Sequence, residues 1–392
     1  MRDVVILSAA RTPIGRFLGG LAPVPAPRLG SVAIAEALRR AQVPPARVDE
    51  VYMGNILAAG LGQAPARQAS LYAGLPNTVP ATTLNKMCGS GLKAVMLGTQ
   101  AIQAGDADVV VAGGMENMSA APYLLDRARA GYRWGHATLV DSMIKDGLWD
   151  VYNDMHMGNC AELLVREHRI SREEQDAFAR RSYTRALEAT ASGHFRREIA
   201  PVEVSGDHGT PEVVSEDEEP RRFDSARIAT LPPVFEERGT VTVANASSIS
   251  DGAAAVVIAA AEVAGQLGAR PLARIVGQAV SATAPEWFTI APAAAIKRLL
   301  DKVGWARDGV DLYEINEAYA AVVIAVARNV GLDMDRINVH GGAVALGHPI
   351  GASGARILTT LLYAMHERDA RRGIAAVCLG GGEAVSLAVE RV

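Results

Sequence analysis

Two short stretches of the chain return a second time, and that repetition limits the folds open to it more than any other feature. Val48-Asp49-Glu50-Val51-Tyr52 returns as Val310-Asp311-Leu312-Tyr313-Glu314, an offset of 262 from Asp49 to Asp311. Val109-Val110-Val111-Ala112-Gly113-Gly114-Met115-Glu116 returns as Ala376-Val377-Cys378-Leu379-Gly380-Gly381-Gly382-Glu383, an offset of 267 from Gly113 to Gly380. Between these pairs each half carries a strand-like run, a Gly/Ser-rich turn and an amphipathic helix. Similar offsets at separate points imply two copies of one unit. The repeat makes the turn Cys88-Gly89-Ser90-Gly91 the counterpart of His348-Pro349-Ile350-Gly351-Ala352-Ser353-Gly354. Sites often form where such halves meet.

The unit itself reads as α/β. Buried strands are expected at Val4–Ala9, Val51–Leu57, Ala107–Ala112, Leu272–Val280, Leu312–Ile315, Ile337–His340 and Ile374–Leu379. Apolar residues spaced by three and four run through Leu92, Val95 and Met96, and through Ile357, Leu358, Leu361, Leu362 and Met365. Alternation of this kind points to mostly parallel sheets covered by helices. The stretch 117–240 differs: it is charged, opens one helix with a capping box at Ser171 and Glu174, and contains the acidic run Ser215–Glu219. It reads as an inserted loop domain. The core would then be 1–116 with 241–270, followed by a second core domain, 271–392.

A chain of 392 residues has room for two or three such units. A formal charge of −4 offers no basic footprint, so nucleic acid is not an expected partner. No apolar run approaches the roughly 18 residues that a membrane span needs. The run Val4–Ala10 meets Arg11 at once and reads as a first core strand rather than an export signal. Three cysteines give no disulfide framework, and the expected compartment is the reducing cytoplasm.

Each cysteine therefore has to be judged as chemistry or as packing. Cys88, in Asn85-Lys86-Met87-Cys88-Gly89-Ser90-Gly91, falls where a strand should give way to a helix. Free N–H groups and the helix dipole there favour an anion, which lowers the thiol and can hold an oxyanion. The dipole supplies about 0.3–1 kcal/mol, less than one pKa unit, so a base is still required. His348, opposite Cys88 in the repeat, is the candidate. Cys378 ends an apolar strand just before three glycines, a position open to both a core and a reactive reading. Asn316 follows a strand and fits either a helix N-cap or a group that holds a water. Cys160 has only a packing reading. Metal-binding His-Glu-x-x-His, paired Cys-x-x-Cys and complete nucleotide loops are all missing, so no metal and no nicotinamide cofactor are expected.

Taken together these segments resemble the thiolase family along essentially the whole chain. The likeness runs from Ser8-Ala9-Ala10-Arg11-Thr12-Pro13 through Asn85–Leu92, Gly113–Ser119, His156-Met157-Gly158, Asn245-Ala246-Ser247, Asn316-Glu317-Ala318 and Gly341–Gly354 to Cys378–Gly382. The resemblance implies a five-layered αβαβα fold with two pseudo-symmetric core domains, and a dimer or tetramer. It implies acyl-CoA substrates, no permanently bound cofactor, a place in fatty acid metabolism and a ping-pong reaction. Cys88 would be the nucleophile activated by His348, and Cys378 the acid–base group. One oxyanion hole would come from His348 with a water on Asn316, the other from the amides of Cys88 and Gly380. Ser247, His156, Leu148, Met157, Arg221, Phe235 and Tyr319 would contact coenzyme A.

One stretch departs from the family pattern. Where many thiolases carry Met-Gly-x-Gly-Pro near the acyl pocket, this chain has Glu286-Trp287-Phe288-Thr289-Ile290. A bulkier, stiffer wall is expected there, and acyl-chain preference is the property it bears on; short acyl groups are the expected substrates. Two rival classes remain in view: a carrier-protein-dependent condensing enzyme, which pairs one Cys with two His or with His and Asn, and a non-catalytic thiolase-like binder of CoA or lipid. The second cysteine, Cys378 with its glycine run, favours a thiolase over the former, and retention of Cys88, His348, Cys378 and Asn316 favours it over the latter.

Overall fold

The structure, a computed structural model, describes residues 2–205 and 210–392. Met1 and 206–209, the latter inside the expected insertion, lie outside it. The first half supplies β1 (Val4–Arg11), α1 (Ala26–Ala41), β2 (Glu50–Gly54), α2 (Pro65–Tyr72), β3 (Ala81–Leu84), α3 (Ser90–Ala104) and β4 (Val109–Asn117). A long segment bearing α4 (Met157–Glu167) and α5 (Arg172–Ala191) then leads to β5 (Ser250–Ala260). The second half supplies β6 (Ala273–Ala282), α6 (Ala291–Val303), β7 (Leu312–Ile315), α7 (Ala320–Val330), α8 (Ser353–Glu367), β8 (Arg372–Leu379) and β9 (Glu383–Arg391).

The repeat seen in the sequence is a repeat of topology. The first half orders its strands β3-β2-β4-β5-β1, and the second orders them β7-β8-β9-β6. Ile337 bridges Tyr313 of β7 at the place that β3 holds in the first half. The two halves join where β1 meets β6, over the three pairs Val4–Ile275, Val5–Arg274 and Ile6–Ala273.

The sheet is mixed rather than mostly parallel. β2 runs parallel to β3 and β4, and β7 to β8, but β5 and β9 are antiparallel to both of their neighbours. The physical reason is connection length. Only Gly380, Gly381 and Gly382 separate β8 from β9, too few for the crossover that a parallel pair requires. β5 was also missing from the sequence reading. It is buried along its whole length and rich in alanine, so it shows no alternation, and periodicity cannot tell such a run from a buried helix.

Helices α1 and α2 cover one outer face, α6 with α7 beside it covers the other, and α3 and α8 lie between the halves. Helix α8 packs on β5, β4 and β1 as well as on β8 and β7, which gives the five layers αβαβα. Its face Ile357, Leu358, Leu361, Leu362 and Met365 is buried, as the spacing required. The first turns of α3 and α8 touch backbone to backbone. A Cβ on Gly354 would stand 2.3 Å from the amide nitrogen of Leu92, and one on Gly91 2.7 Å from that of Ala355. The segment between β4 and β5 is anchored through Arg11, whose fully buried guanidinium meets Asp217 at 2.7 Å and Glu198 at 2.6 Å.

Candidate active site

The crossing of α3 and α8 brings two equivalent turns together. In the first turn Asn85 Oδ1 accepts from the Met87 amide at 3.0 Å, and Ser90 Oγ accepts from the Lys86 amide at 2.7 Å while donating to the Met87 carbonyl at 2.6 Å. These bonds hold Met87 at φ +47°, a left-handed conformation that costs a side-chain-bearing residue about 1–2 kcal/mol. Cys88, next in line, is thereby lifted from the turn, half-buried, onto the wall of a cavity.

The helix terminus does not lower the Cys88 thiol overall, contrary to the expectation from sequence. Burial dominates and pushes it up to about 12, with the charge of Glu116 adding to the rise. The backbone N–H groups of Cys88 and Gly380 act against this by donating toward the sulfur. Desolvation outweighs a terminal dipole because it grows with the protein packed around the group, whereas the dipole fades within one turn.

His348 occupies the second turn. It follows Gly347 at φ +106°, where a Cβ would stand 2.2 Å from Ser250 Oγ. Its amide donates to the Ser248 carbonyl at 3.1 Å, which fixes the backbone. Ser353 Oγ donates to the Pro349 carbonyl at 2.9 Å and lies 2.5 Å from His348 Nδ1. The Asn316 amide nitrogen can only donate, so the His348 nitrogen that faces it accepts, and Nδ1 carries the ring proton toward Ser353. The lone pair therefore lies on Nε2, the nitrogen that faces Asn316 Nδ2 at 3.4 Å. Burial, with the positive Arg356 nearby, lowers His348 to about 3 and leaves the ring neutral.

Asn316 is fully buried and is not a helix cap, since α7 begins at Ala320 with Tyr319 as its N-cap. Its Oδ1 has no partner among the described residues and can accept from a water or a substrate. Cys378 is the penultimate residue of β8 and is buried. Burial raises its thiol, and charge on Cys88 raises it further, so the two sulfurs share one environment. The turn after it is held by Gly382 at φ +82°, where a Cβ would meet the Thr283 carbonyl at 2.4 Å. Lys86 and Glu383 form an ion pair that ties the Cys88 turn to this hairpin. Cys160 is wholly buried within α4.

The cavity measures about 350 Å³. Cys88, His348 and Gly380 line it together with Ser247, His156, Leu148, Met157, Phe235 and Tyr319. His156 Nδ1 accepts from the Gly158 amide at 3.0 Å, which leaves Nε2 as a donor, and its ring stacks on Phe235 at 4.9 Å. Arg221 is not on this wall: it is exposed and paired with Glu216, while Glu219 reaches the cavity instead. In the departing stretch Phe288 lines the cavity and Trp287, half-buried, does not. Sequence reasoning missed Met118, Ile350, Glu116 and Ser353. Ser353 had a usable signal, because the repeat pairs it with Ser90.

Comparison with known proteins agrees with this geometry. Residues 4–262 match the model for the thiolase N-terminal domain, and residues 269–391 the model for the thiolase C-terminal domain. The chain is 54% identical over 391 residues to acetyl-CoA acetyltransferase 2 of Arabidopsis thaliana, covering 99% of this chain and 97% of that one. It is 53% identical to the acetyl-CoA acetyltransferase of Pseudomonas aeruginosa, with 100% of each covered. The crystal structure of the Bacillus anthracis acetyl-CoA acetyltransferase superimposes with a TM-score of 0.98 at 42% identity, over 100% of this chain and 99% of that one. With both family models spanning nearly its whole length, the chain belongs to the thiolase family.

Proposed function

We propose that this enzyme is an acyl-CoA C-acyltransferase that forms and cleaves the carbon–carbon bond of 3-ketoacyl-CoA thioesters through an acyl group on Cys88. The observation that carries this reading is the arrangement around that sulfur. Two backbone N–H groups donate toward it, a neutral imidazole with its lone pair on Nε2 shares the cavity, and a second buried thiol lies in the same environment.

In the synthetic direction Nε2 of His348 takes the Cys88 proton as the sulfur attacks an acyl-CoA carbonyl. The oxyanion forms where the amides of Cys88 and Gly380 point. Coenzyme A leaves with the proton of Cys378, so Cys378 becomes a thiolate while His348 stays protonated. That thiolate, raised by its burial, is a strong base and removes the α-proton of acetyl-CoA. The carbanion attacks the acyl–Cys88 carbonyl, and Cys88 leaves with the proton held on His348. Asn316 Oδ1 would hold the water that joins His348 in stabilising the enolate. The α-proton of acetyl-CoA replaces the one that Cys378 gave to coenzyme A, and Cys88 and His348 regain their starting states, so the enzyme ends each cycle as it began. Thiolysis is the same sequence reversed.

Ser247, His156, Leu148, Met157, Phe235 and Tyr319 would enclose the pantetheine arm, with Arg221 out at the phosphate end. In this reading 117–240 is a loop domain that shapes the cavity over the core formed by 1–116 with 241–270 and by 271–392. Phe288 narrows the acyl end and favours short chains. Copies of the chain would associate, as a tetramer, through the hairpin Tyr123–Leu125 with Leu139–Asp141, whose Tyr123, Leu125 and Leu139 are exposed beside a fully exposed Trp134. Three free thiols suit a reducing compartment, the cytoplasm in this reading.

Incubation with acetyl-CoA followed by intact mass measurement tests the core of the proposal. One acetyl adduct is expected on the wild type and none on Cys88→Ala. Wild-type turnover in Cys88→Ala would sink the assignment. In a series of 3-ketoacyl-CoAs, kcat/KM should fall as the chain lengthens beyond acetoacetyl-CoA.

A further inference from the structure

Away from the cavity, three side chains from three segments converge with their donor atoms on one small volume. His194 follows α5. His340 lies in a turn between Asn338 at φ +48° and Gly341 at φ +77°. Glu367 is the last residue of α8. One donor atom from each lies within 4.8 Å of the others. Glu367 Oε2 stands 2.5 Å from His194 Nδ1 and 3.3 Å from His340 Nε2. The two imidazoles stack at 4.9 Å, so both present an edge to the same carboxylate. The His340 side chain is only 8% exposed, and its Nε2 is buried without a hydrogen-bond partner among the described residues.

Two imidazole nitrogens and one carboxylate oxygen are a donor set that zinc takes, at about 2.0–2.2 Å from each ligand. A tetrahedral ion at those lengths separates neighbouring donors by about 3.3–3.5 Å. The pair His340–Glu367 already has that spacing. The pair His194–Glu367 reaches it by a small rotation of two part-exposed side chains. We propose that His194, His340 and Glu367 bind a divalent transition-metal ion of the zinc class, with water completing the shell, as a clip that fastens the end of α5 to the end of α8.

The surroundings decide which ions fit. The C-terminus of α8 presents carbonyl oxygens and a partial negative charge that favour a cation. Arg185 and Arg368 lie near His340, within reach of its charge. The same two arginines oppose a cation bound by charge alone. Calcium and magnesium, which need several oxygen ligands, are therefore excluded, whereas imidazole suits zinc, cobalt, nickel and copper.

The test uses the full chain with Cys88 alkylated by iodoacetamide, because two thiols and an imidazole in the cavity would themselves take a soft metal. Cobalt(II) is titrated and followed by equilibrium dialysis and by its visible spectrum. One ion per chain is expected, with tetrahedral bands and no thiolate charge-transfer band, unaffected by excess magnesium. His194→Ala and Glu367→Gln, both part-exposed positions, should keep the wild-type circular dichroism and weaken binding by more than the roughly 10- to 100-fold that loss of an outer partner costs. Zinc should raise the Tm of the wild type but not of His194→Ala. Absence of stoichiometric binding, unchanged affinity in either variant, or displacement by magnesium overturns the proposal.

Discussion

Ser353 holds the proton-bearing nitrogen of His348 in place. Its hydroxyl accepts from Nδ1, and Nε2, which faces the Asn316 amide, is left as the base. In Ser353→Ala that constraint disappears and the ring is free to turn or to change tautomer. We expect kcat to fall by about 100-fold, the lower end of what a general base contributes, with KM for acetyl-CoA little changed. A steady-state measurement showing a KM effect alone would refute this role. Cys88, His348, Cys378 and Asn316 were all legible from motifs, because a motif records neighbours along the chain. The direction of the Cys88 shift was not. It depends on how much protein surrounds the sulfur, and on Gly380 and Glu116, which fold onto it from distant segments.

Among the elements, α3 and α8 meet with little room to give. A side chain at Gly354 would strike the backbone of Leu92, which cannot swing aside as a side chain could. Gly354→Ala should therefore cost about 3 kcal/mol or more, above the usual range for overpacking, or prevent folding. Gly265, an exposed helical residue with nothing within 4 Å of a built Cβ, supplies the contrast. Gly265→Ala should stabilise by about 0.5–1 kcal/mol. Chemical denaturation of both variants checks the pair, and similar ΔΔG values would show that the crossing is soft. The repeat already implied equivalent helices at these positions. It could not give the sense of β5 or β9, since the strand direction of β9 follows from a three-residue turn and that of β5 from a long detour through the inserted segment.

At the scale of the molecule, Glu116 spans the junction between the two halves. Its carboxylate accepts from the amides of Ile56 and Leu57 at 3.1 and 3.2 Å, from Asn55 at 2.8 Å, and from Gly351 of the other half at 3.1 Å. Burial outweighs these donors and raises it to about 7. The folded value lies above the unfolded one, so its contribution to stability is complete below about pH 4.5 and is lost as pH rises through about 7. Glu116→Gln lacks that dependence. The stability gap between wild type and variant should narrow between about pH 5 and pH 8, by on the order of 3 kcal/mol at most. Thermal unfolding at both pH values measures it, and a gap that widened with pH would reverse the sign of the argument.

The cavity is built from two sources. The Cys88 sulfur, the His348 imidazole and the Gly380 amide come from turns at the junction of the two core halves, whereas Leu148, His156, Met157 and Phe235 come from the segment between β4 and β5. Much of the lining therefore sits apart from Cys88 and His348, while the second core half adds Phe288 and Tyr319 to the wall. The lining can be exchanged residue by residue to admit another substrate while the chemical step keeps its geometry, which makes this segment the natural target for redesign and the route by which a new specificity could evolve without an inactive intermediate.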